Sequence, residues 1–363
     1  MIISVLEAAT LGKDLDLTPF AEFGELKTFD NISPEDEKEI ISESDIIVIN
    51  KIKIGEHNLK DVKRLKLICE MATGYDNIDL ESCKKRGIAV CNVVGYSANS
   101  VAQITLCMVL SLFSHIEEYR KSVYDGKYNR EGIPNILTPV YHEIFGKTWG
   151  IIGYGNIGMP GANVAKALGC NILINKRTPV PDINCTDLDT LCRNSDIISV
   201  HTPLTPQPKG FISRERIAMM KKDAIFINVA RGAVADEAAL AEAVLEDRLG
   251  GIGIDVYAKE PFGADHPFAK ISGRPNVYLT PHMAWGAYEA RARCRDEAIE
   301  NIRAFLSGER RNRVDCSLNT QIQRGKTNEI YKNLLRKHRG SRYSRRKRQI
   351  LPDGIVIQVI SRT

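Results

Sequence analysis

The chain lacks paired cysteines. Its nine cysteines are an odd number, stand singly and form no Cys-x-x-Cys. That pattern argues against a disulfide framework and a zinc ribbon, and it leads us to expect a reducing, cytoplasmic setting. Also missing is any apolar run near the ~18–20 residues needed to cross a bilayer, so no membrane partner is expected. The opening Met-Ile-Ile-Ser-Val-Leu-Glu has no basic flank and no long apolar segment. It reads as a first strand rather than a signal peptide. His57, His115, His142 and His266 show no ligand spacing, so no metal is expected. No internal repeat is present.

A strong overall charge is missing too, but the net +5 conceals an asymmetry. Residues 321–363 hold twelve Lys/Arg against two acids, Glu329 and Asp353, so the first 320 residues are net negative. The body and the tail look like different kinds of polypeptide. The tail, taken as 317–363, is polar and cationic, with Arg336-Lys337-His338-Arg339 and Arg345-Arg346-Lys347-Arg348. Such a composition cannot build a core, so a disordered extension is expected rather than a nucleic-acid-binding arm.

What remains has the make-up of a globular protein. At 363 residues, 43% hydrophobic and 26% charged, it can fill about two domains. Short Ile/Val-rich runs at 2–6, 45–50, 65–69 and 88–90 read as buried strands, and 34–43 and 56–64 have helical composition between them. A long helix is expected over 98–122, with Val101, Ile104, Met108 and Leu112 on one apolar face. A second series follows, with strands at 148–153, 171–175, 196–200, 224–229, 251–255 and 277–280. A last helix is expected over 287–307, with Gly308 as its C-cap. Strands alternating with helices predict an α/β fold of two doubly wound parallel-sheet domains, Rossmann-like or flavodoxin-like, with a cleft between them.

The second series opens on chemistry. Trp149-Gly150-Ile151-Ile152 is a strand, and Gly153-Tyr154-Gly155-Asn156-Ile157-Gly158 follows directly, with a helix face after it. The first glycine permits the turn, the second lets backbone approach a pyrophosphate, and the third lets helix pack on strand. Free N–H groups at the helix start then meet the phosphate charge. Pro160 falls early in that helix, where a missing N–H is tolerable. At the end of the next strand, where an acid would select NAD(H), the chain reads Asn175-Lys176-Arg177-Thr178. No carboxylate repels a 2′-phosphate there, and two cations and a hydroxyl could receive one. NADP(H) is therefore favoured, with NAD(H) as the alternative.

Three separated residues complete the pattern: Arg231 in Ile-Phe-Ile-Asn-Val-Ala-Arg-Gly, Glu260 in Ala-Lys-Glu-Pro, and His282 in Thr-Pro-His-Met-Ala-Trp. An Arg can hold a carboxylate, a His can move a proton, and a Glu can tune the His. Behind a dinucleotide loop, that order is an oxidoreductase layout.

These motifs, with Ala72-Thr73-Gly74-Tyr75-Asp76-Asn77-Ile78-Asp79 and Ser100-Val101-Ala102-Gln103, make residues 1–316 resemble the D-isomer-specific 2-hydroxyacid dehydrogenase family. Asn92-Val93-Val94-Gly95-Tyr96-Ser97 and Pro281-His282-Met283-Ala284-Trp285 look most like its glycerate dehydrogenase/hydroxypyruvate reductase branch. The resemblance implies a substrate domain built from 1–98 and 288–316 around a dinucleotide domain at 99–287. It implies reduction of a small 2-oxo acid such as hydroxypyruvate or glyoxylate, and a homodimer joined through the dinucleotide domain. Arg231 would clamp the substrate carboxylate and polarise the keto oxygen, His282 would be the acid/base, and Glu260 would favour its imidazolium. Gly74 and Tyr75 would bind the carboxylate from the other domain, with Trp285 near the substrate. Asp255 would hold the nicotinamide carboxamide, and His201, Thr202, Pro203, Val229 and Ala230 would line the cofactor. The same chemistry on D-lactate, or a nucleotide-sensing corepressor, are the alternatives.

Overall fold

The computed structural model describes residues 1–178, 183, 185–203 and 209–315, together with the backbone of 347–350 and 356–359. Met1–Arg313 forms one compact unit containing two parallel sheets. The first has β1 (Ile2–Val5), β2 (Glu25–Thr28), β3 (Ile46–Ile49), β4 (Leu67–Glu70) and β5 (Ala89–Cys91), in the order β2-β1-β3-β4-β5. β3 and β4 are buried along their whole length, as strands covered on both faces must be. The strand β2 was not expected from the sequence. Its Glu-Leu-Lys-Thr is half exposed at the sheet edge and carries no apolar run. The helix expected over 56–64 is a single turn, Glu56–Leu59.

The second sheet has β6 (Thr148–Ile152), β7 (Asn171–Asn175), β8 (Ile197–Val200), β9 (Ile225–Asn228), β10 (Gly251–Ile254) and β11 (Val277–Leu279), ordered β11-β10-β9-β8-β6-β7. All six strands expected from the sequence form. Cys185 adds an isolated parallel bridge to Ile174 and stands where a further edge strand would lie. The chain order reverses between β6 and β8, and a ligand crevice opens at the carboxyl ends of strands at such a point. Trp149, fully buried on β6, donates its indole N–H to Ser199 Oγ on β8 at 2.9 Å and ties the two strands together beneath that crevice.

Two helices bracket the second sheet. The first, Ala98–Ser114, packs against β9 and β10. It ends at His115, whose φ of 49° breaks the helix expected over 98–122; Ile116–Tyr124 then continues at a 64° bend. The second, Tyr288–Leu306, packs on β4 of the first sheet and ends with Gly308 in the left-handed region at φ 81°. Its Asn301 donates to the Asn92 carbonyl at 2.9 Å, and Cys91 pairs with Arg313 in an isolated bridge. The end of this unit is thus stitched back onto its beginning. Beyond it, Val314–Thr363 is a separate unit. Within the tail expected to be disordered, β12 (Lys347–Ile350) and β13 (Val356–Val359) pair antiparallel. The rest of 316–363 lies outside the described residues.

Candidate active site

The glycine loop follows β6. Gly153 has φ 93°, and a Cβ there would lie 2.8 Å from the Thr202 amide nitrogen. A Cβ on Gly158 would sit 2.0 Å from the Gly153 carbonyl oxygen. Both positions therefore need glycine for close backbone approach. Gly155 differs, because nothing lies within 4 Å of its virtual Cβ. It leaves a cradle facing open space at the start of helix Gly158–Ala167, where Asn156 is exposed and Ile157 packs towards the sheet. This cradle fits a dinucleotide pyrophosphate, with backbone N–H groups to receive it. Pro160 is accommodated in the first turn, and the helix forms.

A crevice of about 200 Å³ continues from the cradle. It is lined by Gly153, Tyr154 and Gly155, by Asn175, Lys176, Arg177 and Thr178 beyond β7, and by His201, Thr202 and Pro203 beyond β8. His201 is buried, and burial lowers its pKa to about 4, so the ring is neutral at pH 7. Its Nε2 lies 2.9 Å from Ser199 Oγ.

Three further loops, after β9, β10 and β11, carry Arg231, Glu260 and His282. Arg231 follows β9 and Val229-Ala230. Asn228 shapes that turn, accepting from the Ala230 N–H at 3.1 Å and donating to the Arg231 carbonyl at 2.9 Å. The guanidinium donates to the Ala230 carbonyl through Nη1 at 2.9 Å and to Asp76 Oδ1 through Nε at 3.2 Å. Its Nη2 lies flat on Gly74: a Cβ there would stand 1.6 Å from it. Arg231 thus meets Gly74 and Asp76 of the first sheet's loop, with Tyr75 half-buried between them.

His282 follows β11. Its φ of 53° is left-handed, unusual for a residue with a side chain, and such outliers concentrate at functional sites. The loop is held from inside by Asp255, which is 1% exposed. The Asp255 carboxylate accepts from Thr280 Oγ1 at 2.6 Å and from the N–H groups of Met283 and Ala284, both at 2.9 Å. Burial pushes the Asp255 pKa up, and the Thr280 and backbone hydrogen bonds oppose that. Ser100 Oγ adds a donor to the Ala284 carbonyl at 2.6 Å, and Trp285 packs edge-on against the buried Tyr96.

Glu260 Oε2 lies 2.7 Å from His282 Nδ1, while Oε1 accepts the Tyr257 N–H at 2.9 Å. Burial alone would raise the Glu260 pKa. The hydrogen bond and charge of His282 outweigh it, helped by the Tyr257 N–H and the Lys51 charge, and the pKa is lowered. The carboxylate is therefore ionised where the ring is charged. Among the described residues no hydrogen-bond partner occupies His282 Nε2, so that nitrogen is available for proton exchange.

This geometry has relatives. Residues 106–284 match the family model "D-isomer specific 2-hydroxyacid dehydrogenase, NAD binding domain". The glycerate dehydrogenase of Methylorubrum extorquens is 37% identical over 284 residues, covering 78% of this chain and 90% of that protein. The hydroxypyruvate reductase of Blautia hydrogenotrophica is 33% identical, covering 85% and 98%. The chain belongs to the D-isomer-specific 2-hydroxyacid dehydrogenase family. It is an oxidoreductase that uses a nicotinamide dinucleotide. A solved structure of D-lactate dehydrogenase from Aquifex aeolicus, complexed with NAD and lactic acid, superposes with a TM-score of 0.78 at 28% identity, covering 87% of this chain and all of that one.

Within this dehydrogenase, two side chains at the site went unread in the sequence. Asp76 stands inside the Gly74-Tyr75-Asp76 motif with no sign of a role of its own, and its contact with Arg231 crosses between the loops of two sheets. Lys51, after β3, places Nζ 3.3 Å from His282 Nδ1. A single Lys after Asn50 carries no pattern that could have flagged it.

Proposed function

We propose that this enzyme reduces hydroxypyruvate or glyoxylate to the D-2-hydroxy acid or glycolate, and catalyses the reverse oxidation. The observations that carry the reading are the Glu260–His282 contact at 2.7 Å and the seat of Arg231 on Gly74 and Asp76. The dinucleotide supplies or takes up the hydride. The guanidinium fork of Arg231 binds the substrate carboxylate and polarises the adjacent carbonyl, with the Gly74 and Tyr75 backbone beside it. His282 Nε2 gives its proton to the carbonyl oxygen during reduction and takes it back during oxidation. Glu260 holds Nδ1–H and stabilises the charged ring. Asp255 orients the His282 loop and contributes to the carboxamide site. Trp285 and Tyr96 limit the pocket to a small acid.

The direct test is oxidation of NADPH and NADH across a panel of 2-oxo acids. Highest kcat/KM on hydroxypyruvate or glyoxylate is expected. A pyruvate preference would move the enzyme to the D-lactate type, and dinucleotide binding without turnover would leave a nucleotide-sensing protein.

NADP(H) is the proposed cofactor, because Lys176, Arg177 and Thr178 line the crevice and no acid follows β7. KM should be lower for NADPH than for NADH, and Lys176→Asp should reverse that order with kcat largely kept. A wild type that prefers NADH would make the basic triplet a solvated turn. A homodimer is also proposed. The segment after helix Ala98–Ser114 exposes Val123, Tyr124, Leu137, Val140, Tyr141 and Phe145, apolar side chains that a second copy would cover. Sedimentation at micromolar concentration should give twice the chain mass.

A further inference from the structure

The ring of His282 is approached at Nδ1 by two groups of opposite charge. Glu260 comes from its own side, and Lys51 comes from the first sheet at 3.3 Å. The Lys51 placement is built into the backbone. Glu7, in the loop after β1, points one carboxylate oxygen into the turn after β3. There Oε2 accepts the N–H groups of Asn50, Lys51 and Ile52 at 3.1, 2.7 and 2.8 Å. Three donors on one acceptor fix the turn, so the Lys51 stem starts from a set point facing the ring.

An ammonium has donors only, and Nδ1 of a charged imidazole is also a donor. The two cannot hydrogen-bond to each other. Glu260 keeps the Nδ1 proton in place while Nε2 exchanges its own, so Lys51 acts on the ring through its charge and not through a hydrogen bond. We propose that Lys51 is a positioning residue for the acid/base: its ammonium, held against Nδ1 by the Glu7-built turn, opposes the charged ring that Glu260 favours and thereby sets the pH range of reduction. This rests on the proposed role of His282. The other titratable groups around the pair are Arg231, Glu7 and the buried Glu70 near Lys51, and Asp255 near His282. The Lys51 pKa is lowered, chiefly by desolvation from the protein atoms packed around it and then by Arg231, against the pull of Glu260 and Glu7.

Removing the Lys51 charge should make the ring easier to charge. Reduction needs the charged ring, so the alkaline limb of kcat/KM should move to higher pH in Lys51→Met, by roughly 1 pH unit for one charge at this range. Lys51→Arg keeps a cation and should stay near wild type. An unmoved limb in Lys51→Met, or an equal shift in both variants, would overturn the proposal. Because Lys51 is exposed, neither change threatens the fold. A second readout needs no turnover: NMR titration of the His282 ring in the ligand-free enzyme, assigned with His282→Asn. Its midpoint should rise in Lys51→Met and hold in Lys51→Arg. A chain inactive on every 2-oxo acid would defeat the proposed function, yet the ring titration would still decide the role of Lys51.

Discussion

Glu260→Gln puts the acid/base arrangement under its sharpest test. The carboxylate is an acceptor at both oxygens, from the Tyr257 N–H at 2.9 Å and from His282 Nδ1–H at 2.7 Å. An amide of the same shape has one acceptor and one donor, so either Tyr257 or His282 must face an NH₂. The negative charge is lost as well. The charge centres lie ~4 Å apart, and the side chains of His282 and Glu260 are 19% and 30% exposed. At an effective dielectric of about 20–40, that attraction is worth roughly 2–4 kcal/mol. Solvent and the opposing Lys51 reduce the usable part to about 1.5–3 kcal/mol, or roughly 1–2 pH units. The alkaline limb of kcat/KM for reduction should therefore move to lower pH by about 1–2 units. At pH above that limb the loss should be roughly 10–100-fold. Oxidation needs the uncharged ring, so its acidic limb should move the same way and activity should persist at lower pH. Stopped-flow or steady-state profiles in both directions measure this. Limbs that stay in place, or move to higher pH, would refute the pairing of Glu260 with a charged His282.

His282→Asn, which tolerates the left-handed backbone, should lower turnover by roughly 10²–10⁴ with dinucleotide affinity kept, as fluorescence titration would show. Arg231→Lys keeps the charge and loses the fork, so KM should rise and kcat fall together; a wild-type kcat/KM would put the carboxylate clamp elsewhere. Glu70 is fully buried with Oε1 unpartnered among the described residues, and burial raises its pKa well above the usual carboxylate range. The unfolded chain releases that proton at lower pH than the folded one, so stability falls as pH rises through the interval between the two. Glu70→Gln should therefore match wild type in melting temperature near pH 4–5 and exceed it increasingly above that; parallel melting curves across pH would mean that Glu70 is ionised in the fold.

Much of this was legible because the central strands of the second sheet are buried on both faces. Strands such as Ile225–Asn228 then read as unbroken apolar runs, and each ends at a chemically distinctive residue. The edge strand Glu25–Thr28 has no such pressure and left no pattern. The helix break at His115 escaped because the apolar period runs through it, and a left-handed His has no signature of its own. The pairing of Glu260 with His282 was implied by the family resemblance. The approach of Lys51 and Asp76 was not, since both depend on how the loops of one sheet meet those of the other.

The flat seat of Arg231 on Gly74 carries one more consequence. A methyl group at position 74 would take the space now held by Nη2, and the guanidinium tip can swing aside where backbone could not. Gly74→Ala would leave the fold standing and every reactive side chain present, yet the enzyme would behave as if its arginine had been replaced. Drift in a stretch of chain with no chemistry of its own can thus retune or silence the reaction. A relative that retained Arg, Glu and His but carried a bulkier residue at this seat would be one whose acid specificity had changed.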